Sequence, residues 1–227
     1  MPLFRRSIIV FSLFAAPLSI HGQGVLEFIP SYQGRELLLD STYHLGNDSM
    51  RFEQLRFYVS GIHFTKEGKT VYQFPKKHYL LDYSDQNSTR IPFDVPMYFD
   101  SLHFQLGIDS LTNVSGAFGE DLDPTNGMYW TWQSGYINFK LEGSCSESPA
   151  RNNQFQFHIG GYQYPYNTLR SISLKASGRE RQQVVLDLDR LFQEIELSSE
   201  YKVMSPNQAA VRLADLLQKS IVSSEKK

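Results

Sequence analysis

Cysteine is almost missing: Cys145 is the only one in 227 residues, so no intramolecular disulfide can form and a cysteine-built zinc or iron–sulfur site is excluded. It sits between Ser144 and Ser146 with no basic residue beside it to lower its pKa, and reads as an inert thiol. An excess of one charge is lacking too. The 22 Lys and Arg against 24 Asp and Glu leave a formal charge of −2, and the cations are scattered, which gives no electrostatic ground for nucleic acid or an acidic membrane surface. Beyond the N-terminus no run is long and apolar enough to cross a bilayer, so no integral membrane segment is expected. There is no Gly-x-Ser-x-Gly elbow and no phosphate-cradling glycine loop after a strand, and Ser134 in Gln-Ser-Gly lacks a recognisable partner. No enzymatic activity is expected.

What is present begins with an export signal over residues 1–22: Arg5 and Arg6, an apolar stretch from Ile8 to Leu18, and Gly22 before a cleavage that leaves Gln23 first. With no cysteine in that segment a lipid anchor is not expected, and the product reads as periplasmic or secreted. Residues 23–227 carry no linker, repeat or low-complexity tract and read as a single domain, large enough to fold without staples. Apolar residues alternate with period two over Val25–Phe28, Glu36–Asp40, Met50–Thr65, Thr70–Phe74, His78–Tyr83, Tyr98–Gly107, Tyr136–Gly143, Gln154–Gly160, Leu169–Ala176 and Gln183–Asp189. Polar turns separate them and no helical period intervenes, so the expected fold is all-β, a two-sheet antiparallel β-sandwich. The exception is the C-terminus. Ser205 as cap and Pro206 in the first turn start a helix whose Ala210, Leu213, Ala214 and Leu217 form one apolar face, before residues 223–227 fray.

Asp109 to Trp132 reads as a long irregular connection, and such loops are often functional. It ends in both tryptophans, Trp130 and Trp132, just before the strand that starts at Tyr136. Asp121, Asp123 and Asn126 offer oxygen ligands for calcium, but Asp-Pro and Asn-Gly are what consecutive tight turns demand anyway. Strand parity puts Phe155, Phe157 and Ile159 on one face and His158 on the other, beside Gly160 and Gly161. His103 likewise stands opposite Leu102, Phe104 and Leu106. His63 shares parity with Leu55, Phe57 and Val59 and reads as buried unless a bulge near Gly61 turns it; His44 and His78 lie at strand edges. Imidazoles with a π-rich neighbour suit copper, whereas Trp130, Trp132, Tyr129 and Tyr136 could instead form an aromatic platform for a carbohydrate or protein partner.

Leu55-Arg-Phe-Tyr-Val-Ser-Gly-Ile62, Leu80-Leu-Asp82, Phe104-Gln-Leu-Gly-Ile-Asp109 with Thr112-Asn113, Gly127-Met-Tyr-Trp-Thr-Trp-Gln-Ser-Gly-Tyr136 and Phe157-His-Ile-Gly160 follow one another along most of the chain. In these the chain resembles the MbnP-like family, exported β-rich proteins named after the methanobactin-associated periplasmic protein. Lys140-Leu-Glu-Gly143 and Val203-Met-Ser-Pro206 look like its Bacteroidetes-type branch. The resemblance implies periplasmic copper handling, through histidines and a tryptophan-derived kynurenine made by a partner dihaem peroxidase. Carried over, it points to His158 and to Trp130 or Trp132, joined by a second histidine for which His44 and His63 rank above His103. One departure stands out: Val114 follows Asn113 where copper-associated relatives have a histidine.

Overall fold

The computed structural model describes residues 23–46, 48–95, 98–176, 178 and 180–224; the expected signal over residues 1–22 lies outside the described residues. The chain runs through β1 (Gln23–Tyr32), β2 (Arg35–Glu36), β3 (Thr42–Leu45), β4 (Asp48–Lys66), β5 (Lys69–Gln73), β6 (His78–Asp82), β7 (Arg90–Asp94) and β8 (Ser101–Leu106). After the short helix α1 (Ser110–Val114) come β9 (Tyr129–Trp130), β10 (Gly135–Cys145), β11 (Gln154–Gly160), β12 (Arg170–Lys175) and β13 (Arg181–Asp187). Then follow α2 (Leu188–Phe192), β14 (Lys202–Val203), α3 (Gln208–Ser220) and β15 (Ile221–Ser223).

These strands make two sheets. The smaller has the order β15-β13-β1-β2 with β7 also on β1; the larger has the order β12-β8-β4-β10-β11-β14, with β3, β5 and β6 along β4 and β9 on β10. The inner faces meet where Phe28 of β1 stands edge-on to Phe57 of β4 and Phe104 of β8, at centroid distances of 6.3 and 5.5 Å. The expected β-sandwich is therefore the observed one, with α3 packed against β11 and β12 of one sheet and β13 of the other. Two pairs depart from antiparallel order, β1 with β13 and β11 with β14. Parallel neighbours need long crossovers, and nearly the whole chain lies between β1 and β13.

The spine of the large sheet is β4, and its burial changes phase twice. Met50 and Phe52 are buried, then Leu55, Phe57 and Val59, then Ile62 and Phe64. Each skip of three coincides with a register shift, one opposite Glu142/Gly143 and one between Ser60 and His63. Bulges let one long strand keep an apolar face inward while it bends.

Several local expectations need correction. Of the Glu36–Asp40 segment only Glu36 is strand; Asp40 instead has a left-handed φ of 62° in the turn that leads to β3. β7 carries Pro92, which argues against a strand by pattern, yet it pairs only with β1, an edge position where a missing N–H costs nothing. The helix starts two residues later than expected, because Asn207 is the cap and its Oδ1 accepts the Ala210 N–H at 2.9 Å. Its buried face is the expected one. Ser223 does not fray; it lies in β15, paired with Val184.

Candidate functional site

The connection from Asp109 to Trp132 is not structureless. It holds α1 and two single-turn 3-10 helices, Glu120–Leu122 and Pro124–Asn126, and it lies over the outer face of the large sheet. Tyr58, Ile108, Leu122, Met128, Trp130, Tyr136 and Ile137 pack there as a second apolar cluster, separate from the sandwich core. Polar side chains fasten it. The buried Asn113 accepts the Tyr136 N–H at 2.9 Å and donates to the Ile108 and Asp109 carbonyls, both at 3.1 Å. Tyr58 donates its hydroxyl to the Asp121 carbonyl at 2.9 Å, and the Tyr136 hydroxyl donates to that of Leu122 at 3.1 Å.

α1 is anchored by charge. Asp109 caps it through the Thr112 N–H at 2.9 Å and pairs with the Lys77 ammonium at 2.9 Å. Burial raises the Asp109 carboxyl, but the bonds from Thr112 and Lys77 outweigh that and hold it down to about 2. A carboxyl depressed in the folded state contributes stability above its ordinary pKa of 3.8 and loses it as pH falls through about 2. Acidification from pH 4 to 2 is thus expected to loosen α1 and the segment behind it. Tryptophan emission, with both tryptophans at the end of that segment, measures this. An Asp109→Asn variant whose acid transition is unchanged would refute it.

The two tryptophans end the segment differently. Trp130, in the β9–β10 ladder opposite Gly135, is buried at 7% exposure, whereas Trp132 in the following turn is 66% exposed. Their rings lie 5.8 Å apart, tilted by 46°. Trp130 rests on Gly160: a Cβ there would come within 2.7 Å of its Cζ3. His158 is two residues back on the same face of β11. The structure thus places Trp130 against the residue two positions along β11 from His158, with Trp132 beside Trp130 in the turn. Parity puts His158 off the face that Phe155, Phe157 and Ile159 turn to the core, yet it is only 7% exposed there. Its Nε2 bonds the Glu142 carboxylate at 2.5 Å, and this bond, aided by Lys140, holds Glu142 below the usual carboxylate range despite burial.

Lys140 belongs to a polar row across the outer face. Asp82, Arg56, Lys140 and His158 follow one another over β6, β4, β10 and β11. Arg56 pairs with Asp82 at 2.7 Å and donates to the Asn126 carbonyl at 2.9 Å, and Lys140 reaches the Gly127 carbonyl at 3.5 Å. The acidic turn thereby faces cations. Asp123 accepts the Thr125 N–H and hydroxyl at 2.8 and 2.6 Å, and Asp121 pairs with Lys76 at 3.2 Å. Asn126 donates to the Glu120 and Asp121 carbonyls. Asp123 thus spends carboxylate oxygen on its own turn, Asp121 on an ion pair and Asn126 its amide on two carbonyls, and among the described residues no three His, Cys, Asp or Glu side chains are grouped for calcium. The aromatic platform is corrected too: Trp130 and Tyr136 are buried and Tyr129 half-buried, leaving Trp132 alone among the four rings exposed.

The other histidines stand apart. His44 is exposed on β3 opposite Ser49, and His63 lies at the far end of β4. Measured along β4, Ser49 and His63 each stand seven residues, about 23 Å, from Arg56 in the His158 row. Neither meets His158. The buried reading of His63 is corrected as well. The bulge at Gly61, whose φ is +60°, turns His63 outward, where its ring stacks on that of His103 at 5.0 Å. Among the described residues no three His, Cys, Asp or Glu side chains are grouped to hold a metal. Sequence reasoning missed Glu142 as the partner of His158, Gly160 as the seat of Trp130 and Asn113 as the amide that fastens α1 to Tyr136. Strand register, which pairs Glu142 with His158's neighbour Gln156, is the signal that would have found the first.

Fold and site together define a two-sheet β-sandwich whose outer face is roofed by a segment that ends in Trp130 and Trp132. A family model described as MbnP matches residues 21–205, and the chain belongs to that family. Among solved structures it is similar to "MbnP from Methylosinus trichosporium", at 17% identity and a TM-score of 0.61, over 84% of this chain and 86% of that one. At that identity the likeness shows the fold. No curated protein matches.

Proposed function

We propose that the protein is an exported, non-enzymatic copper-binding protein of the periplasm, and that the copper site is built on His158 beside the tryptophan pair. Membership of the MbnP family supports the class. The carrying observation is that Trp130 is seated on Gly160, two positions along β11 from His158, whose Nε2 is already held by Glu142. A carboxylate on one ring nitrogen fixes orientation and leaves the other, here Nδ1, for an ion, which is the usual outer-sphere arrangement of metal-bound histidines. One imidazole with an aromatic ring nearby fits copper as a partial donor set. Val114, where copper-associated relatives carry histidine, offers no donor. When bound, copper would supply a redox-active centre; His158 would hold it, Glu142 would orient His158, and Trp130 would keep water from that side. In this reading Trp132 is the exposed ring that a dihaem peroxidase partner reaches.

Both tryptophans lie at the site, so copper-dependent quenching of their emission reports it directly. Quenching is expected to saturate in the wild type and to be lost in His158→Gln, which can still bond Glu142. His158→Ala removes a buried partner of Glu142 and is expected to cost about 1–3 kcal/mol of metal-free stability as well. Saturable quenching of unchanged affinity in His158→Gln would overturn the assignment.

A further inference from the structure

The outer face of the large sheet carries a second histidine arrangement that the tryptophan site does not use. His63 on β4 and His103 on β8 are direct cross-strand partners, with rings stacked at 5.0 Å and 16° from parallel. Both rings are partly exposed, and their row continues to Gln73 on β5 and Ser173 on β12, without an ammonium or guanidinium. Each ring is pinned by one nitrogen. His63 Nδ1 lies 2.9 Å from the Gly61 carbonyl, which can only accept, so the neutral ring carries its proton there and keeps a lone pair on Nε2. His103 Nε2 bonds the Thr65 hydroxyl at 2.9 Å, which leaves Nδ1.

We propose that His63 and His103 form a surface cation site, a two-imidazole chelate for a divalent late first-row transition ion such as Cu(II), Ni(II) or Zn(II), completed by water. A ring N–H given to a backbone carbonyl is how metal-bound histidines are commonly held, and His63 already has that partner. Neutral imidazole is the ligand these ions favour over Mg or Ca. Burial and the neighbouring His63 push His103 below the usual imidazole range, and the Asp100 carboxylate nearby attracts a cation. The Gly61 bulge is what creates the pair, since without the register shift His63 would face the core. Capture requires the rings to leave the stack and rotate until His63 Nε2 and His103 Nδ1 each lie about 2.0–2.1 Å from one ion. The inference is independent of the tryptophan site, which lies on the order of 20 Å away along β4.

The test is Ni(II) and Zn(II) titration of the purified protein, stripped of metal, followed by thermal melting, in the wild type and in His63→Gln, His103→Gln and His158→Gln. An ion that binds only the folded state raises the melting temperature with concentration. Wild type and His158→Gln are expected to show the same saturable rise. His63→Gln and His103→Gln should each melt like wild type without metal and lose affinity by more than the roughly ten- to hundredfold that removing an outer-sphere partner costs. If either variant fails to fold, the other carries the comparison, and histidine ring nitrogen NMR of the wild type shows which rings shift. No saturable rise in the wild type, or a rise that persists in both pair variants, overturns the proposal. A rise lost only in His158→Gln also overturns it and assigns these ions to the tryptophan site.

Discussion

Gly160→Ala is expected to unseat Trp130 and destabilise the fold by about 1–3 kcal/mol, the usual cost of forcing an added carbon into a filled space. The new Cβ would lie 2.6 Å from the Tyr136 carbonyl oxygen and 2.7 Å from Trp130 Cζ3. The first contact is backbone of the paired strand β10, which cannot swing aside as a side chain can. The ring must therefore move, and the ladder must open. Denaturant unfolding should show a lower midpoint and the emission of Trp130 should shift to the red, because a ring now 7% exposed would gain water. Because His158 shares this face, copper-dependent quenching should weaken along with packing. An unchanged midpoint and emission maximum would mean that Trp130 is not held against Gly160.

A comparable loss is expected from Asn113→Ala, although that residue touches neither tryptophan. One buried amide serves three backbone groups, and truncation leaves the Tyr136 N–H and the Ile108 carbonyl without their partner. An unsatisfied buried group costs about 1–3 kcal/mol, so the pair amounts to roughly 2–6 kcal/mol. Asn113→Asp should be as harmful, since it can accept from Tyr136 but cannot donate to the two carbonyls. Hydrogen exchange locates the effect: amides of α1 and of the 3-10 turns should lose protection while the paired strands β1 and β13 keep theirs. Uniform loss across both sheets would mean that the roof and the sandwich unfold as one unit.

The contrast between these residues and the ones singled out from sequence shows where legibility ends. Period-two alternation located most of the long strands, because one face of each is buried against the opposite sheet. It failed on β4 beyond Val59, where the Gly61 bulge shifts phase and turns His63 out of the core. It passed over β7, although Ile91 and Phe93 are buried on either side of an exposed Pro92 that an edge tolerates. Around the candidate site, the end of the roofing segment at the tryptophan pair and the facing of His158 away from Phe157 and Ile159 were legible from motif and parity. Their neighbours were not: Glu142 meets His158 only through the β10–β11 register, and Gly160 matters because a ring remote in sequence rests on it. Partner identity across strands depends on bulges and crossovers, which no local pattern encodes. Strand spacing likewise gave no warning that β1 and β13 lie parallel, since their neighbourhood is set by everything between them.

Copper content and intact mass of the protein purified from its native host, compared between His103→Gln and the double variant His103→Gln/His158→Gln, test the central claim most directly. The shared His103→Gln background removes the proposed second site from the comparison, so any difference belongs to His158. The account expects copper in the first protein and none in the second, with any mass change of the tryptophan mapping to the Trp130–Trp132 peptide. Equal copper in both, or no copper in the first, would contradict it.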